Sequence, residues 1–244
     1  MRRAYADLHL CANLRDVKQT SLLVGKAAEL GYRLVGIPFP PNAGKEEIGQ
    51  VRELCAEVSL DLVSRVDLRP RSANDLLRSL RMLRRRFEVI AVLCGSKNVA
   101  RQAAKDRRVD LLSFTSLEWR GRFFDLAEGK LTSGALAALE VDVKPLLTLE
   151  GPMRTRLLSS LRRETRIAKH FHIPIVISSG VSDSLLLRKP MEMAALAGLF
   201  DLDGEAVLDG VSVNPSSIVK RNRAKLSERF VAPGIRVVRK GKDC

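Results

Sequence analysis

Aromatic residues make up only 5% of the 244-residue chain. A succession of stacking platforms for single-stranded bases is therefore excluded, and a polyanion would have to be read through phosphate contact and shape. Histidine is scarcer, with three residues, too few for a conventional hydrolytic metal centre, which needs several nitrogen or carboxylate ligands per ion and an open position for water. The four cysteines, Cys11, Cys55, Cys94 and Cys244, form neither a C-x-x-C pair nor a framework spacing, which points to reduced thiols in a cytoplasmic setting. No apolar run approaches the ~20 residues needed to span a bilayer, and the chain reaches Asp7 before any long apolar stretch, so neither a membrane helix nor a signal peptide is expected. Internal repeats, low-complexity tracts and dividing linkers are also missing.

What is present in excess is positive charge. Lys and Arg total 42 against 28 Asp and Glu, a formal net charge of +14. That balance opposes compaction by self-repulsion and points to a polyanionic partner: RNA, DNA or an anionic membrane surface. With 45% hydrophobic residues the chain can still bury a substantial core.

Apolar segments of strand length, at residues 4–10, 34–39, 60–68, 89–94, 111–114, 138–141 and 175–178, alternate with amphipathic segments of helix length. This is the pattern of a parallel sheet covered by helices. Asp16 is the expected cap of a first helix ending at Gly31, Ser72 or Asn74 of another, and Asn98 of the next. Pro152 opens the longest helix, which runs to about His170. After the seventh strand the rhythm breaks: helices are expected over residues 190–199, 204–209 and 215–226, and only Val211-Ser212-Val213 stands where an eighth strand belongs. An open doubly wound sheet lacks its G-x-G-x-x-G turn here, so the favoured fold is an α/β, distorted TIM-type βα barrel of about seven parallel strands. Residues 1–226 are read as one domain and 227–244 as a mobile basic tail.

In such a barrel the reacting groups sit at the C-terminal ends of the strands. Those positions hold His9 and Cys11, Pro38, Asp67 and Arg69, Cys94, Ser113, Glu140, and Ser178-Ser179-Gly180. Strand alternation puts Asp7, His9 and Cys11 of ADLHLC on one face, the start of a metal site if the rest of the chain completes it. A His-x-Cys pair is weakly specific, and the favoured reading is a hydrogen-bonded histidine beside an inert thiol. Ser178 and Ser179 lack the G-x-S-x-G elbow of a nucleophile; the Ser-Ser-Gly turn either offers backbone N–H groups to an anion or closes a tight loop. His170 and His172, at and after a helix end, suit the negative end of its dipole. Five basic clusters stand out instead: Arg81 to Arg86, Lys97 to Arg108, Arg154 to Arg166, Arg188-Lys189 and Lys220 to Lys225. Arginine dominates most of them, which suits bidentate phosphate contact.

The segment NVARQAAKDRRVDLLSF resembles the N-x-x-x-R-x-A-x(4)-V-D-x-L-S stretch of the archaeal ribonuclease P protein component 3 family. The likeness continues in ALEVDVKPLL, IPIVISSGVSDSLLLRKP and VSVNPSSIVKRNRAKL, in order. It implies a barrel similar to that of the polymerase and histidinol phosphatase (PHP) superfamily of metal-dependent phosphoesterases, whose D-x-H-x-H opening is broken here by Cys11. Metal chemistry would then have lapsed, leaving Asp7, His9 and Cys11 as a remnant, with no catalytic residue and no cofactor on this chain. The implied role is a non-catalytic subunit of a ribonucleoprotein endonuclease that removes 5′ leaders from precursor tRNA. Its RNA would carry the magnesium ions, and protein component 2 would be the partner in a heterodimer or heterotetramer. Lys97 and Arg101 are the first candidate RNA contacts, then Arg188 and Lys189, then Arg69 and Arg71, with Arg154 and Arg156 of the long helix. The alternative is a free-standing metal-dependent phosphoesterase.

Overall fold

A computed structural model describes residues 3–227, 229–232 and 235–236. Seven strands, β1 (Tyr5–Asp7), β2 (Tyr32–Pro38), β3 (Asp61–Leu68), β4 (Val89–Leu93), β5 (Leu111–Ser113), β6 (Ala138–Asp142) and β7 (Ile175–Ser178), pair in chain order. Every pairing is parallel. Between and after them run α1 (Val17–Glu29), α2 (Lys45–Glu57), α3 (Ala73–Leu83), α4 (Lys97–Lys105), α5 (Leu126–Ser133), α6 (Lys144–Thr148), α7 (Gly151–His170), α8 (Pro190–Ala197), α9 (Gly204–Gly210) and α10 (Val213–Leu226).

The sheet curls until its edges meet at one end only. There Leu10 bridges Val181 in parallel, Cys11 N donates to Val181 O and Gly180 N to His9 O, both at 2.9 Å. At the other end the eighth strand is replaced: residues 211 and 212 form a turn into α10, Ala6 N donates to Val211 O (2.9 Å) and Asn214 Nδ2 to Ile175 O (2.8 Å). Backbone groups of both edges thus find partners without a strand, as buried peptide groups must. The fold is the distorted seven-stranded barrel expected from the alternation. β1 and β2 lie so close that a Cβ at Gly36 would collide with the Leu8 carbonyl.

Helix starts follow from side-chain caps. Asp16 accepts from Gln19 N at 3.0 Å and Ser72 from Asp75 N at 3.2 Å, each satisfying a first-turn amide. The cap of α4 is Ser96, accepting from Val99 N, and not Asn98, which lies inside the helix; only a residue in extended backbone before the first turn, as Ser96 is (φ −146°), can turn its oxygen back onto those amides. α2 lacks a side-chain cap and buries only Val51 and Cys55, which is why it leaves a weak sequence signal.

Alternation divides the core in two. Residues facing outward pack under the helices. The inward set, Leu8, Val63, Val89, Ala91, Leu111, Ala138 and Val176, fills the barrel and is closed from the N-terminal end of the strands by Ile218 and Val219 of α10. Where a mobile tail was expected, Phe230–Ala232 (β8) pairs antiparallel with Ile235–Arg236 (β9); residues 228, 233–234 and 237–244 lie outside the described residues.

Candidate functional site

The C-terminal mouth of the barrel is built around a buried arginine. In β3, Val63, Arg65 and Asp67 alternate onto the inner face, so Arg65 projects into the barrel with no exposed surface. Its guanidinium meets Glu140 of β6 in a bidentate pair, Nη1 to Oε1 at 2.5 Å and Nη2 to Oε2 at 2.7 Å. Nη1 also donates to Leu8 O (2.8 Å) and Nε to Asp67 Oδ1 (2.6 Å). A second cation lies above it: His9 Nδ1 is 2.9 Å from both oxygens of Asp142, and Nε2 is 3.2 Å from Asp67 Oδ2.

The loop after β7 locks this arrangement. Ser178 Oγ donates to Glu140 Oε1 (2.8 Å), Ser179 N to Asp7 Oδ1 (3.0 Å) and Ser179 Oγ to His9 O (3.1 Å). Gly180 has a φ of +65°, and a Cβ there would press into the Asp142 carboxyl at 2.8 Å, so only glycine suits both the turn and the close approach. Of the two readings of Ser-Ser-Gly, loop closure is the one the structure supports, because its amides are already spent on Asp7 and the His9 carbonyl.

Proton positions follow from the charges. Burial and Arg65 both push the His9 imidazole down, but Asp142 and Asp67 outweigh them and hold it well above its ordinary 6.5. Burial pushes Asp67 up, yet Arg65 and His9 more than offset this and keep its carboxyl below the usual carboxylate range. Asp7 is fully buried and is pushed up, chiefly by that burial, against hydrogen bonds from Ser179 and the His9 amide; its Oδ2 has no partner among the described residues.

Ligand atoms of His9, Glu140 and Asp142 lie within 4.8 Å of one another, close enough for a single ion. The chemistry of the set nevertheless does not fit one. Both ring nitrogens of His9 already face carboxylate oxygens, and both oxygens of Glu140 face the Arg65 guanidinium, so these ligand atoms are engaged within the chain. Cys11 and Asp7 are not in the cluster, so of the three residues that alternation grouped only His9 joins it. The Ser178 and Ser179 hydroxyls donate to a carboxylate and a carbonyl, and burial pushes the Cys94 thiol well above its ordinary range. Arg65 and Asp142 escaped sequence reasoning. The available signal for Arg65 was its place in the strand stretch DLVSRVDL, in alternation with Val63 and Asp67.

The eight candidate RNA contacts lie in the loops and helices that follow β3, β4, β6 and β7; the Arg188 carbonyl accepts from Tyr32 Oη, at the start of β2. Lys97, Arg69, Arg71, Arg156 and Lys189 are exposed, and none of their side chains has a hydrogen bond or ion pair among the described residues. Arg154 donates to Leu149 O and Arg188 to Leu185 O. Arg101 differs: it pairs with both oxygens of Asp125 (2.7 and 2.6 Å) and with buried Glu128, tying α4 to α5. Its charge is paired within the chain. Of the last basic cluster, Arg223 is likewise bound to Asp61 and Glu88 and Arg221 to Asp110.

The RNase P subunit p30 family matches residues 4–227. The chain belongs to this family. Among curated members, ribonuclease P protein component 3 of Methanosarcina barkeri is 34% identical over 158 residues, covering 65% of each chain. The counterpart from Methanothermobacter thermautotrophicus is 24% identical over 239 residues, 96% of this chain and 95% of that one. The family chain thus aligns with less than two thirds of the length of the M. barkeri relative. In backbone, the barrel superposes on a chain of the cryo-EM structure of archaeal ribonuclease P with mature tRNA with a TM-score of 0.81, at 20% identity, over 97% of this chain and 99% of that one.

Proposed function

We propose that this chain is an RNA-binding protein subunit of ribonuclease P that holds RNA by phosphate contact and carries none of the hydrolytic chemistry. The observation behind the reading is how a family member of net charge +14 distributes its charges. Acidic groups at the mouth are consumed by Arg65 and His9, while Lys97, Arg69, Arg71, Arg156 and Lys189 stand exposed with no side-chain hydrogen bond or ion pair among the described residues. Arg188 and Arg154, bonded only to carbonyl oxygens, keep their full charge and belong with them. Arg101 supports this surface by fixing α4. Magnesium chemistry belongs to the RNA, and the remnant Asp7, His9 and Cys11 hold no metal ion. Protein component 2 is the proposed partner, in a heterodimer or heterotetramer, and precursor tRNA the substrate of the assembly. Residues 1–226 act as one unit. No described helix is long and apolar enough to cross a membrane; a cytoplasmic location is part of the proposal.

Reconstitution of ribonuclease P RNA with its proteins, with and without this chain, is the test. Faster precursor tRNA cleavage, or cleavage at lower magnesium, is expected on addition, and no change in either defeats the proposal. The phosphoesterase reading is checked by metal analysis: stoichiometric zinc, manganese or iron, lost on His9→Ala, would establish it instead.

A further inference from the structure

The opposite end of the barrel carries a cavity of a different kind. Arg84 and Arg85 lie between α3 and β4, and Arg107 and Arg108 between α4 and β5, so all four stand at the N-terminal ends of the strands. Together with Lys225 near the end of α10 they surround a cavity of 530 Å³ that, among the described residues, no acidic side chain lines.

The five cations divide by what holds them. Arg84 is fixed to Asp110 and to the carbonyls of Phe87 and Glu88, both at 2.8 Å; Arg108 is fixed to Asp106 (2.9 and 2.7 Å). Arg85, Arg107 and Lys225 are exposed and have no hydrogen bond or ion pair among the described residues. Desolvation and then Arg221 push the Lys225 ammonium down, Asp110 opposes them, and Arg84 and Arg107 add to the downward push, as for a cation crowded mainly by other cations. One wall of the cavity is apolar, formed by Leu226, Phe230 and Val231. Phe230 is partly buried and held by the short hairpin β8–β9.

Three unpaired cations converging on a concave space that also has an aromatic wall match one ligand chemistry: a phosphate ester attached to a flat, apolar-faced group. We propose that this cavity binds a single unpaired nucleotide of RNA, its phosphates held by Arg85, Arg107 and Lys225 and its base laid against Phe230. The proposal rests on the RNA-binding reading above and adds a second, sequence-distant contact on the face away from the mouth. A chain with few aromatic residues uses one of them here as its stacking platform.

The test measures the affinity of the full chain for ribonuclease P RNA across a salt series. The variants are Arg85→Ala/Arg107→Ala/Lys225→Ala, Phe230→Ala, and a charge-matched control, Lys18→Ala/Arg33→Ala/Lys45→Ala, with thermal unfolding to verify folding. Expected are at least a tenfold loss for the cavity triple variant and a fall of about 2 in the slope of log K against log salt. Phe230→Ala should weaken binding severalfold with the slope unchanged, and Phe230→Trp should restore it. Equal losses in the control and the cavity triple variant, or unchanged affinity in the cavity triple variant, overturn the site while RNA binding itself stands. A triple-variant loss without a Phe230→Ala loss overturns the nucleotide and leaves only a phosphate contact. Failure of the unaltered chain to bind the RNA overturns the site and the functional reading together.

Discussion

The two ends of the barrel handle charge in opposite ways. At the C-terminal mouth, Arg65 and His9 are enclosed by Glu140, Asp67 and Asp142, and every charge touches its opposite. At the N-terminal end, Arg85, Arg107 and Lys225 face a cavity that no acidic side chain among the described residues lines. Burial explains the contrast. A charge withdrawn from water loses several kcal/mol unless it is paired and fully hydrogen-bonded, so each buried charge of the mouth is held against an opposite one. A charge that water still reaches has no such constraint and remains available to a partner. The place where barrel enzymes keep their chemistry is therefore the inert end of this molecule, and the available charge lies at its rim and at its opposite face.

Removing the central cation should break the comparison most forcefully. Arg65→Met leaves Glu140, Asp67 and Asp142 without their buried partner and is expected to cost about 3–5 kcal/mol, read by urea unfolding. Arg65→Met/Glu140→Gln should recover part of the loss. A cost under about 1 kcal/mol for the single variant would show that the mouth is not held by this pair.

Glu128 gives the next effect. Burial, opposed by Arg101, lifts its carboxyl from 4.5 to about 7, so the folded chain binds the extra proton. Stability is then greatest below pH 4.5 and declines as pH rises to about 7, by up to about 3 kcal/mol from this group. Glu128→Gln should flatten the profile in that window; an unchanged slope between pH 5 and 7 contradicts the assignment. His9 acts in a higher window. Its stabilisation is fully present below its ordinary 6.5 and is lost as pH rises through its raised folded value. His9→Asn should remove that alkaline loss and cost about 1.5–3 kcal/mol at pH 6, the worth of a charged hydrogen bond.

The smallest effects sharpen the distinction between paired and unpaired cations. Arg101→Ala is expected to lower stability by about 1–2 kcal/mol while changing RNA affinity less than about threefold. Lys97→Ala, one turn away on the same helix, should leave stability within about 0.5 kcal/mol and lower the salt slope by about 0.7–0.9. The reverse pattern would return Arg101 to the RNA surface.

Much of the fold was readable because it is written in local periods. Six of the seven strands are found within two residues of the expected starts and ends, and the shortfall of an eighth at Val211 was visible as a missing apolar run. β1 is the exception, ending at Asp7 because residues 8–11 leave the ladder to clasp the loop after β7. The candidate site was only half legible. His9, Asp67 and Glu140 could be placed at strand ends by counting, but Arg65 could not be distinguished from a surface arginine without knowing which face of β3 turns inward. The same limit applies to Arg101: nothing local shows that Asp125 and Glu128, two dozen residues on, will meet it.

The sequence by itself therefore determined the barrel, through alternation and capping, and the excess of positive charge, through composition. Which charges are spent and which remain was decided only by tertiary structure. Pairing depends on distances between residues such as Arg65 and Glu140, 75 positions apart, and on whether the space around them admits water. A one-dimensional pattern carries neither.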